Sequence, residues 1–178
     1  MPRPHGQKTT NVVQGEYAIS EDPDEMLTTV LGSCVAVCMF DTGRGIGGMN
    51  HFLLPSRPGE AGANVRYGAY AMELLINGLL KRGAARDRLQ AKMFGGASMI
   101  GNVRDIGAQN AAFARRFLAD ERIPCRAESL GGVCARRIRF WPVSGLARQM
   151  LVEGPVDRVA PPRPAAKPAP AFPAIELF

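Results

Sequence analysis

Short apolar runs separated by turn residues fill the first third of the chain, and this pattern is typical of β-strands. Turn-forming residues at 22–24 (Asp-Pro-Asp) and 41–43 (Asp-Thr-Gly) separate some of the runs, because Asp, Pro and Gly favour tight turns. The pattern therefore predicts four early strands, at residues 11–19, 26–31, 34–40 and 45–53.

The pattern changes to helical spacing after residue 60. Apolar residues recur every three or four positions, which predicts a helix over residues 62–82 with one buried face. Lys81 and Arg82 fall in its last turn and Gly83 follows, as helix C-termini favour. A second helix is predicted over residues 105–120, with an apolar face formed by Ile106, Phe113, Phe117 and Leu118.

Alternation of apolar and polar residues marks three later strands. One begins near Leu89 and stops at a Gly-Gly pair, and the others span residues 125–130 and 135–141, with Ile138 and Phe140 pointing inward. Many strands with two main helices predict a strand-rich single domain, either α+β or a layered α/β sandwich. The early part of the chain is too strand-rich for a doubly wound parallel sheet.

Length and composition are those of one globular domain with an extension at each end. The chain has 178 residues, of which 46% are hydrophobic and 21% charged. We expect a flexible leader over residues 1–10, a folded domain over 11–150 and a disordered tail over 151–178. Seven of the fourteen prolines lie in the tail, and such density disfavours helix and sheet. Residues 174–178 are apolar enough for a docking peptide, but a loose end is the simpler expectation.

Neither a membrane span nor a secretory signal is predicted. No apolar run approaches the roughly 20 residues that a membrane helix requires, and the leader lacks a hydrophobic stretch. We therefore expect a cytoplasmic protein without membrane insertion. In that reducing compartment the four cysteines should remain thiols. Because the sequence contains no Cys-x-x-Cys, we expect no metal site.

The formal net charge of +6 comes largely from two groups of basic residues. A basic surface suits nucleic acid or an acidic protein partner. No DNA-reading motif or set of stacking aromatics accompanies it, so we expect no nucleic-acid partner. The first group comprises Lys81, Arg82, Arg86, Arg88 and Lys92, and the second Arg115, Arg116, Arg122, Arg126, Arg136, Arg137 and Arg139.

Cys34 and His51 are the strongest candidates for chemistry. The other histidine, His5, lies in the polar leader, so His51 is the imidazole in a position to activate a thiol. Cys34 follows a Gly-Ser turn that would present its sulfur outward and leave backbone N–H groups near an oxyanion. A hairpin centred between residues 42 and 43 would place Cys34 opposite His51, about 5 Å apart at Cβ.

A general base needs an orienting partner, and the nearby candidates are Thr28, Thr29, Asp41 and Asn50. Structural roles compete with this interpretation. A cysteine in an apolar stretch is commonly a core residue, as we expect for Cys38, and a lone histidine is commonly structural. The predicted cross-strand register favours the catalytic interpretation of the pair.

Five segments stand in order along the chain: TTVLGSCVAVC at 28–38, GIGGMNHFLLP at 45–55, FGGASM at 94–99, IGAQN at 106–110 and GG at 131–132. Together they resemble the chemoreceptor glutamine deamidase family, CheD. The resemblance covers about residues 11–150 and leaves out the leader and the tail.

The resemblance implies a layered α/β sandwich that hydrolyses receptor glutamine side chains to glutamate and ammonia. It implies Cys34 as the thiolate nucleophile, His51 as the base and Thr28 as the residue that orients His51 or the substrate. It implies no metal or organic cofactor. The implied partners are cytoplasmic helices of chemoreceptors (methyl-accepting chemotaxis proteins) and, for some relatives, a regulating chemotaxis phosphatase. We expect substrate binding or shaping of the site from Gly32, Ser33, Asn50, Gly95 and Gly96, and shaping from Asn110.

The chain departs from the family pattern near Gly131-Gly132. Ser129 replaces the usual acid and Ala135 replaces a later glycine, and we expect Arg136 or Arg137 to keep the basic position. This local change puts the loop and partner docking in doubt.

Two other functions stay open at this point. One is a regulatory binding module for a phosphatase or receptor, with weak catalysis. The other is a different thiol enzyme, such as a peptidase or transglutaminase, which would differ in leaving group or acceptor.

Overall fold

The computed structural model describes residues 7–55, 61–99, 105–153 and 176–178. These residues form two five-stranded sheets and two main helices, which confirms the strand-rich α+β, layered α/β sandwich. A short 3₁₀ turn at Arg86–Arg88 precedes the sixth strand. The helices are α1 (Ala61–Lys81) and α2 (Ile106–Asp120), and the strands are β1 (Lys8–Asn11), β2 (Tyr17–Ser20), β3 (Glu25–Leu31), β4 (Val35–Asp41), β5 (Ile46–Phe52), β6 (Gln90–Gly95), β7 (Cys125–Leu130), β8 (Ala135–Trp141), β9 (Leu146–Val152) and β10 (Glu176–Leu177).

The elements stack in three layers. The first sheet has the strand order β1-β3-β8-β9-β10, and the second has the order β2-β5-β4-β6-β7. One apolar cluster fills the space between the sheets, and another fills the space between the second sheet and the helices. Because the second sheet is covered on both faces, every residue of β4 and β5 is buried.

The helices follow the predicted boundaries closely. The apolar stripe of α1 contributes Met72, Leu75 and Leu79 to the cluster beneath the helices, and each of these side chains is fully buried. Gly83 follows α1 with φ +95°, a left-handed conformation that suits a helix end. The side chain of Asp105 caps α2 by accepting a hydrogen bond from the Ala108 N–H at 2.9 Å.

The strand predictions are confirmed from β3 to β8, but the first one is wrong. Residues 11–19 do not form one strand, because a turn at Gly15 (φ +87°) sends the chain from one sheet to the other. Its two ends belong to β1, which pairs with β3, and to β2, which pairs with β5. β9 and β10 were not predicted, since neither is marked by a long alternating run.

The predicted register of the β4–β5 hairpin is also wrong. Ala36, rather than Cys34, lies opposite His51. The ladder closes at Asp41 and Ile46, so four residues connect the strands, and the Asp41 carbonyl accepts hydrogen bonds from Arg44 N and Gly45 N. The hairpin centre therefore lies one residue later than expected. This moves each pairing by two residues, so every side chain keeps its predicted face of the sheet.

The folded unit reaches beyond the predicted domain limits at both ends. β1 includes residues 8–10 of the expected leader, and β10 adds residues 176–177 of the expected tail to the first sheet. For the rest of the leader and tail, flexibility stays a prediction. Within the described residues, no helix has the length and apolar character needed to cross a membrane.

Asp41 fixes the turn that joins β4 to β5. Its side chain is fully buried and accepts two hydrogen bonds from the Arg88 guanidinium, at 3.0 and 2.9 Å. It also accepts from the main-chain N–H groups of Ala85 and Arg44. Burial alone would raise the pKa of Asp41, but these hydrogen bonds outweigh it and hold the pKa below the ordinary value.

Replacing Asp41 by Asn should therefore lower the free energy of unfolding at neutral pH by about 2 to 4 kcal/mol, because Arg88 loses its charged partner. The stabilisation from Asp41 is complete above its unfolded pKa of about 4 and disappears as pH falls through the lower folded-state pKa. Urea unfolding of both chains at neutral and acidic pH should show the difference shrinking in acid. Asp87→Asn, an exposed acid beside Arg88, is the control. A pH-independent difference would contradict this account.

Candidate active site

The turn that carries Cys34 is held by hydrogen bonds to the segment after β6. Gly96 N–H donates to the Cys34 carbonyl at 2.8 Å, and Ala97 N–H donates to the Gly32 carbonyl at 2.9 Å. Cys34 also packs against the cluster between the sheets, although it remains partly exposed. The turn thus holds the sulfur at the end of the sandwich, next to its interior.

The predicted glycines shape this turn by close packing. Gly95 has φ +112°, and a Cβ at that position would lie 2.1 Å from the Cys34 carbonyl oxygen. Gly96 has φ +65°, which other residues rarely adopt. Gly32 is less constrained, since a Cβ there would meet the Met99 side chain at 3.2 Å. Gly95 and Gly96 therefore let β6 approach the Cys34 main chain closely.

Asn110 on α2 fixes the residue before the cysteine. Its amide Nδ2 donates to the Ser33 carbonyl at 2.8 Å, and its Oδ1 accepts from Leu54 N–H at 3.0 Å. Asn110 is fully buried. The helical layer is therefore connected to the Cys34 turn on one side and to the end of β5 on the other.

His51 is held from the opposite sheet by Thr29. The Thr29 hydroxyl lies 2.9 Å from His51 Nδ1 and donates to the Val12 carbonyl at 2.7 Å. The Val12 carbonyl also lies 3.2 Å from Nδ1. A carbonyl oxygen can only accept a hydrogen bond, and the Thr29 hydroxyl already donates its proton to the Val12 carbonyl. Both oxygens can therefore accept a hydrogen bond from the imidazole only if Nδ1 carries the proton.

This network assigns the tautomer in which Nε2 of His51 has a free lone pair. Nε2 is buried and has no hydrogen-bond partner among the described residues. Burial lowers the pKa of His51 below its ordinary value, although the hydrogen bond with Val12 partly opposes this shift. The imidazole is therefore neutral at physiological pH, which is the form that a general base requires.

Cys34 and His51 both face the space between the sheets. Ala36 lies opposite His51, and Cys34 lies two residues before Ala36, just before the start of the ladder, which places it near the position diagonal to His51. Diagonal neighbours across a ladder are about 7 to 8 Å apart, or somewhat less between their Cβ atoms. This is farther than the Cβ atoms of a directly opposed pair, which are about 5 Å apart. The Cys34 thiol meets the Gln14 carboxamide Oε1 at 3.5 Å.

The thiol is not activated in the free chain. Burial raises the pKa of Cys34 to about 11, with a small opposing effect from a backbone hydrogen bond. Both groups are therefore neutral, and forming the thiolate requires a proton transfer. His51 Nε2 is the unprotonated nitrogen that could take this proton once the two side chains come into contact.

Three predicted partners of the base lie away from the imidazole. Thr28 is buried and donates its hydroxyl proton to the Ile138 carbonyl at 2.8 Å. Asn50 points to the helical side of the sheet, where it accepts from Val37 N–H and donates to the Ala71 carbonyl. Asp41 lies at the far end of the hairpin, bound to Arg88. Among the four candidates, Thr29 is the residue that contacts His51.

The segment 12–16 crosses from one sheet to the other over the site, a role that the sequence did not predict. Besides the contacts of Val12 and Gln14, Gly15 N–H donates to the His51 carbonyl, and His51 N–H donates to the Glu16 carbonyl. These residues fell inside a strand that was wrongly predicted as continuous. No motif marks them, because most of their contacts are made by the main chain.

The altered loop near Gly131 is held by Arg136. Its guanidinium donates to the Ser129 carbonyl at 2.5 Å, to the Ser129 hydroxyl at 3.0 Å and to the Gly131 carbonyl. Ser98 N–H donates to the Gly132 carbonyl, which joins this loop to the segment that supports Cys34. Arg136 is buried and Arg137 is half-buried. Arg136 is thus the basic residue that organises the loop, and Ser129 accepts where the family has an acid.

Comparisons with known proteins agree on one family. The family model described as "CheD chemotactic sensory transduction" matches residues 53–150, a range that begins two residues after His51. The chain is 55% identical to the "Probable chemoreceptor glutamine deamidase CheD" of Caulobacter sp. (strain K31), covering 94% of this chain and 92% of that protein. It is 51% identical to the protein of the same description from Rhizobium leguminosarum bv. trifolii (strain WSM2304), covering 96% of each.

Among solved structures, the chain is similar to the Bacillus licheniformis hypothetical protein YfiH. The TM-score is 0.43 at 13% identity, and the match covers 70% of this chain and 60% of that one. This likeness is too weak to inform on function.

Alkylation of Cys34 should follow the high pKa of its thiol. Because that pKa is raised to about 11, the rate with iodoacetamide should rise about tenfold per pH unit from pH 7 to 10. Peptide mass spectrometry would follow Cys34 separately from the exposed Cys125. A plateau that starts near neutral pH would instead mean that a thiolate–imidazolium pair already exists in the free protein.

Proposed function

The chain belongs to the CheD family, and from that premise we propose that it is a chemoreceptor glutamine deamidase. It would hydrolyse the side-chain amide of receptor glutamines to glutamate and ammonia, in keeping with its relatives, which are described as "Probable chemoreceptor glutamine deamidase CheD". The observation that carries the proposal is the neutral His51 imidazole, with a free Nε2, on the same side of the sheet as the Cys34 thiol. A thiol and an unprotonated imidazole are the pair that attack on an amide needs.

The proposed reaction begins when His51 Nε2 takes the Cys34 proton. The sulfur then attacks the amide carbon of the glutamine, and a tetrahedral intermediate forms. His51 returns the proton to the departing nitrogen, so that ammonia leaves and a thioester remains. Water, deprotonated by the same imidazole, attacks the thioester and releases glutamate, which restores the thiol. The sum is one amide and one water converted to one acid and one ammonia.

The neutral state of both groups supports a reaction that starts on substrate binding. A thiol with a raised pKa and an imidazole with a lowered pKa do not form a stable ion pair in the free chain. Binding of the glutamine would exclude water and bring Cys34 and His51 together, so the charged pair would exist only during the reaction. Such an arrangement protects the sulfur from other electrophiles.

Thr29 is the positioning residue in this proposal. Its hydroxyl keeps Nδ1 protonated and leaves Nε2 free to act as the base. The family resemblance instead points to Thr28, whose hydroxyl is bonded to the Ile138 carbonyl. We therefore assign orientation of His51 to Thr29, whereas the role of Thr28 that the resemblance implies stays a prediction, since Thr28 lies on the other face of β3.

The proposed partner is the cytoplasmic helices of chemoreceptors, which puts the reaction in the cytoplasm. The positive charge of the two basic groups would attract these helices. Less of that charge is available than the sequence suggests. Within the described residues, four of the arginines already form ion pairs with carboxylates: Arg86 with Glu121, Arg88 with Asp41, Arg115 with Glu128 and Arg116 with Asp120. Regulation by a chemotaxis phosphatase stays a prediction from the family.

The deamidase reaction can be tested with a purified cytoplasmic chemoreceptor fragment. Peptide mass spectrometry should map glutamine-to-glutamate conversion at specific sites, and Cys34→Ala or His51→Ala should abolish it. Cys125→Ala, which removes an exposed thiol elsewhere, is the matched control and should retain activity. Conversion that survives Cys34→Ala would refute the thiol mechanism. Receptor binding without conversion would support the regulatory module instead.

The assignment of Thr29 can be tested against Thr28 with valine, which has the same shape without the hydroxyl. Thr29→Val should lower kcat for deamidation about tenfold to a hundredfold, or about 1.4 to 2.7 kcal/mol, while Thr29→Ser should keep most activity. Nitrogen NMR of His51 should show a loss of the single Nδ1–H tautomer in Thr29→Val and not in Thr28→Val. An unchanged tautomer and kcat in Thr29→Val would transfer the role to Thr28.

A further inference from the structure

The edge of the first sheet is completed by three residues from the far end of the chain. β10 pairs antiparallel with β9, with Glu176 opposite Gln149 and Leu177 opposite Arg148. The ladder continues at Phe178, whose N–H donates to the Ala147 carbonyl at 3.1 Å and whose oxygen accepts from Ala147 N–H at 3.4 Å. Residues 176–178 are thus held by main-chain hydrogen bonds, as in recognition by strand addition.

The side chains of Leu177 and Phe178 point in opposite directions, one to solvent and one to the interior. Leu177 is 65% exposed, whereas Phe178 is partly buried against the cluster between the sheets. The Phe178 ring meets the ring of Phe94 edge-on, with 5.4 Å between centroids. Main-chain pairing and one aromatic anchor therefore account for the docking, and the Leu177 side chain adds little to it.

A buried lysine meets the end of the same strand. Lys92 on β6 is 9% exposed, and its ammonium donates to the main-chain oxygen of Phe178. The ammonium also lies 5.6 Å from the centre of the Phe40 ring. A buried ammonium is costly unless hydrogen-bond acceptors surround it. The oxygen of Phe178 thus gives Lys92 an acceptor, and the neighbouring aromatic ring gives it a favourable field.

We propose that the groove formed by the β9 edge, Phe94 and Lys92 is a strand-binding site. Its ligand is an extended peptide with an aromatic residue that enters the space between the sheets and a main-chain oxygen that Lys92 binds. Residues 176–178 of this chain are the occupant. The apolar end of the sequence is therefore a docking peptide, and the site is independent of the proposed deamidation.

The site predicts different effects for two adjacent residues of the full-length chain. Phe178→Ala should expose Lys92 and raise its rate of acetylation by acetic anhydride about tenfold or more, because the ring that covers the groove is lost. Leu177→Ala is the matched control and should leave the rate unchanged. Hydrogen exchange of the Ala147 amide should rise in Phe178→Ala and not in Leu177→Ala, since that amide donates to the Phe178 main-chain oxygen.

A synthetic peptide of residues 174–178 (Ala-Ile-Glu-Leu-Phe) tests whether the groove binds in trans. Added to the Phe178→Ala chain at high concentration, it should restore protection of Lys92 and Ala147. The same peptide carrying Phe178→Ala should not. Equal Lys92 labelling in the unaltered, Phe178→Ala and Leu177→Ala chains would overturn the proposal. A peptide without effect on the Phe178→Ala chain would overturn it as well.

Discussion

Burial of the second sheet on both faces is the constraint on which the rest of this structure depends. β4 lies between β5 and β6, and its seven residues are all buried between the first sheet and the two helices. A strand in that position can neither shift its register by one residue nor turn over, because either change would exchange the two apolar clusters. The start of β4 is therefore a rigid base for the Cys34 turn, and its partner β5 is an equally rigid base for His51.

The same burial determines the electrostatics of the site. A charged imidazole or thiolate is unfavourable in this interior, so the free chain holds both groups neutral. Polar contacts then decide which neutral form is present, and Thr29 and Val12 select the His51 tautomer. The first sheet thus contributes to the candidate site without supplying Cys34 or His51, since Thr29 holds the imidazole across the space between the sheets.

The site was predictable where local sequence carries the information. The Gly-Ser-Cys turn, the shortage of histidines and the glycines after β6 all appear as short motifs, and the structure brings Cys34, Gly95 and Gly96 together. Other features have no local signal. The choice between Thr28 and Thr29 depends on which face of β3 meets β5, and Gln14 reaches Cys34 only because the chain changes sheets at Gly15.

The sequence by itself determined the class of the fold, both helices, most strands and the two side chains that are candidates for chemistry, Cys34 and His51. These follow from the spacing of apolar residues and from residue chemistry, which act over a few positions along the chain. Tertiary structure alone decided the hairpin register, the partner of His51 and the docking of Phe178. Each of these depends on contacts between residues distant in sequence, namely the turn held by Asp41 and Arg88, the packing of the two sheets, and a buried Lys92 that needs an acceptor. Apolar spacing specifies which face of an element is buried, but only the assembled layers specify what that face meets.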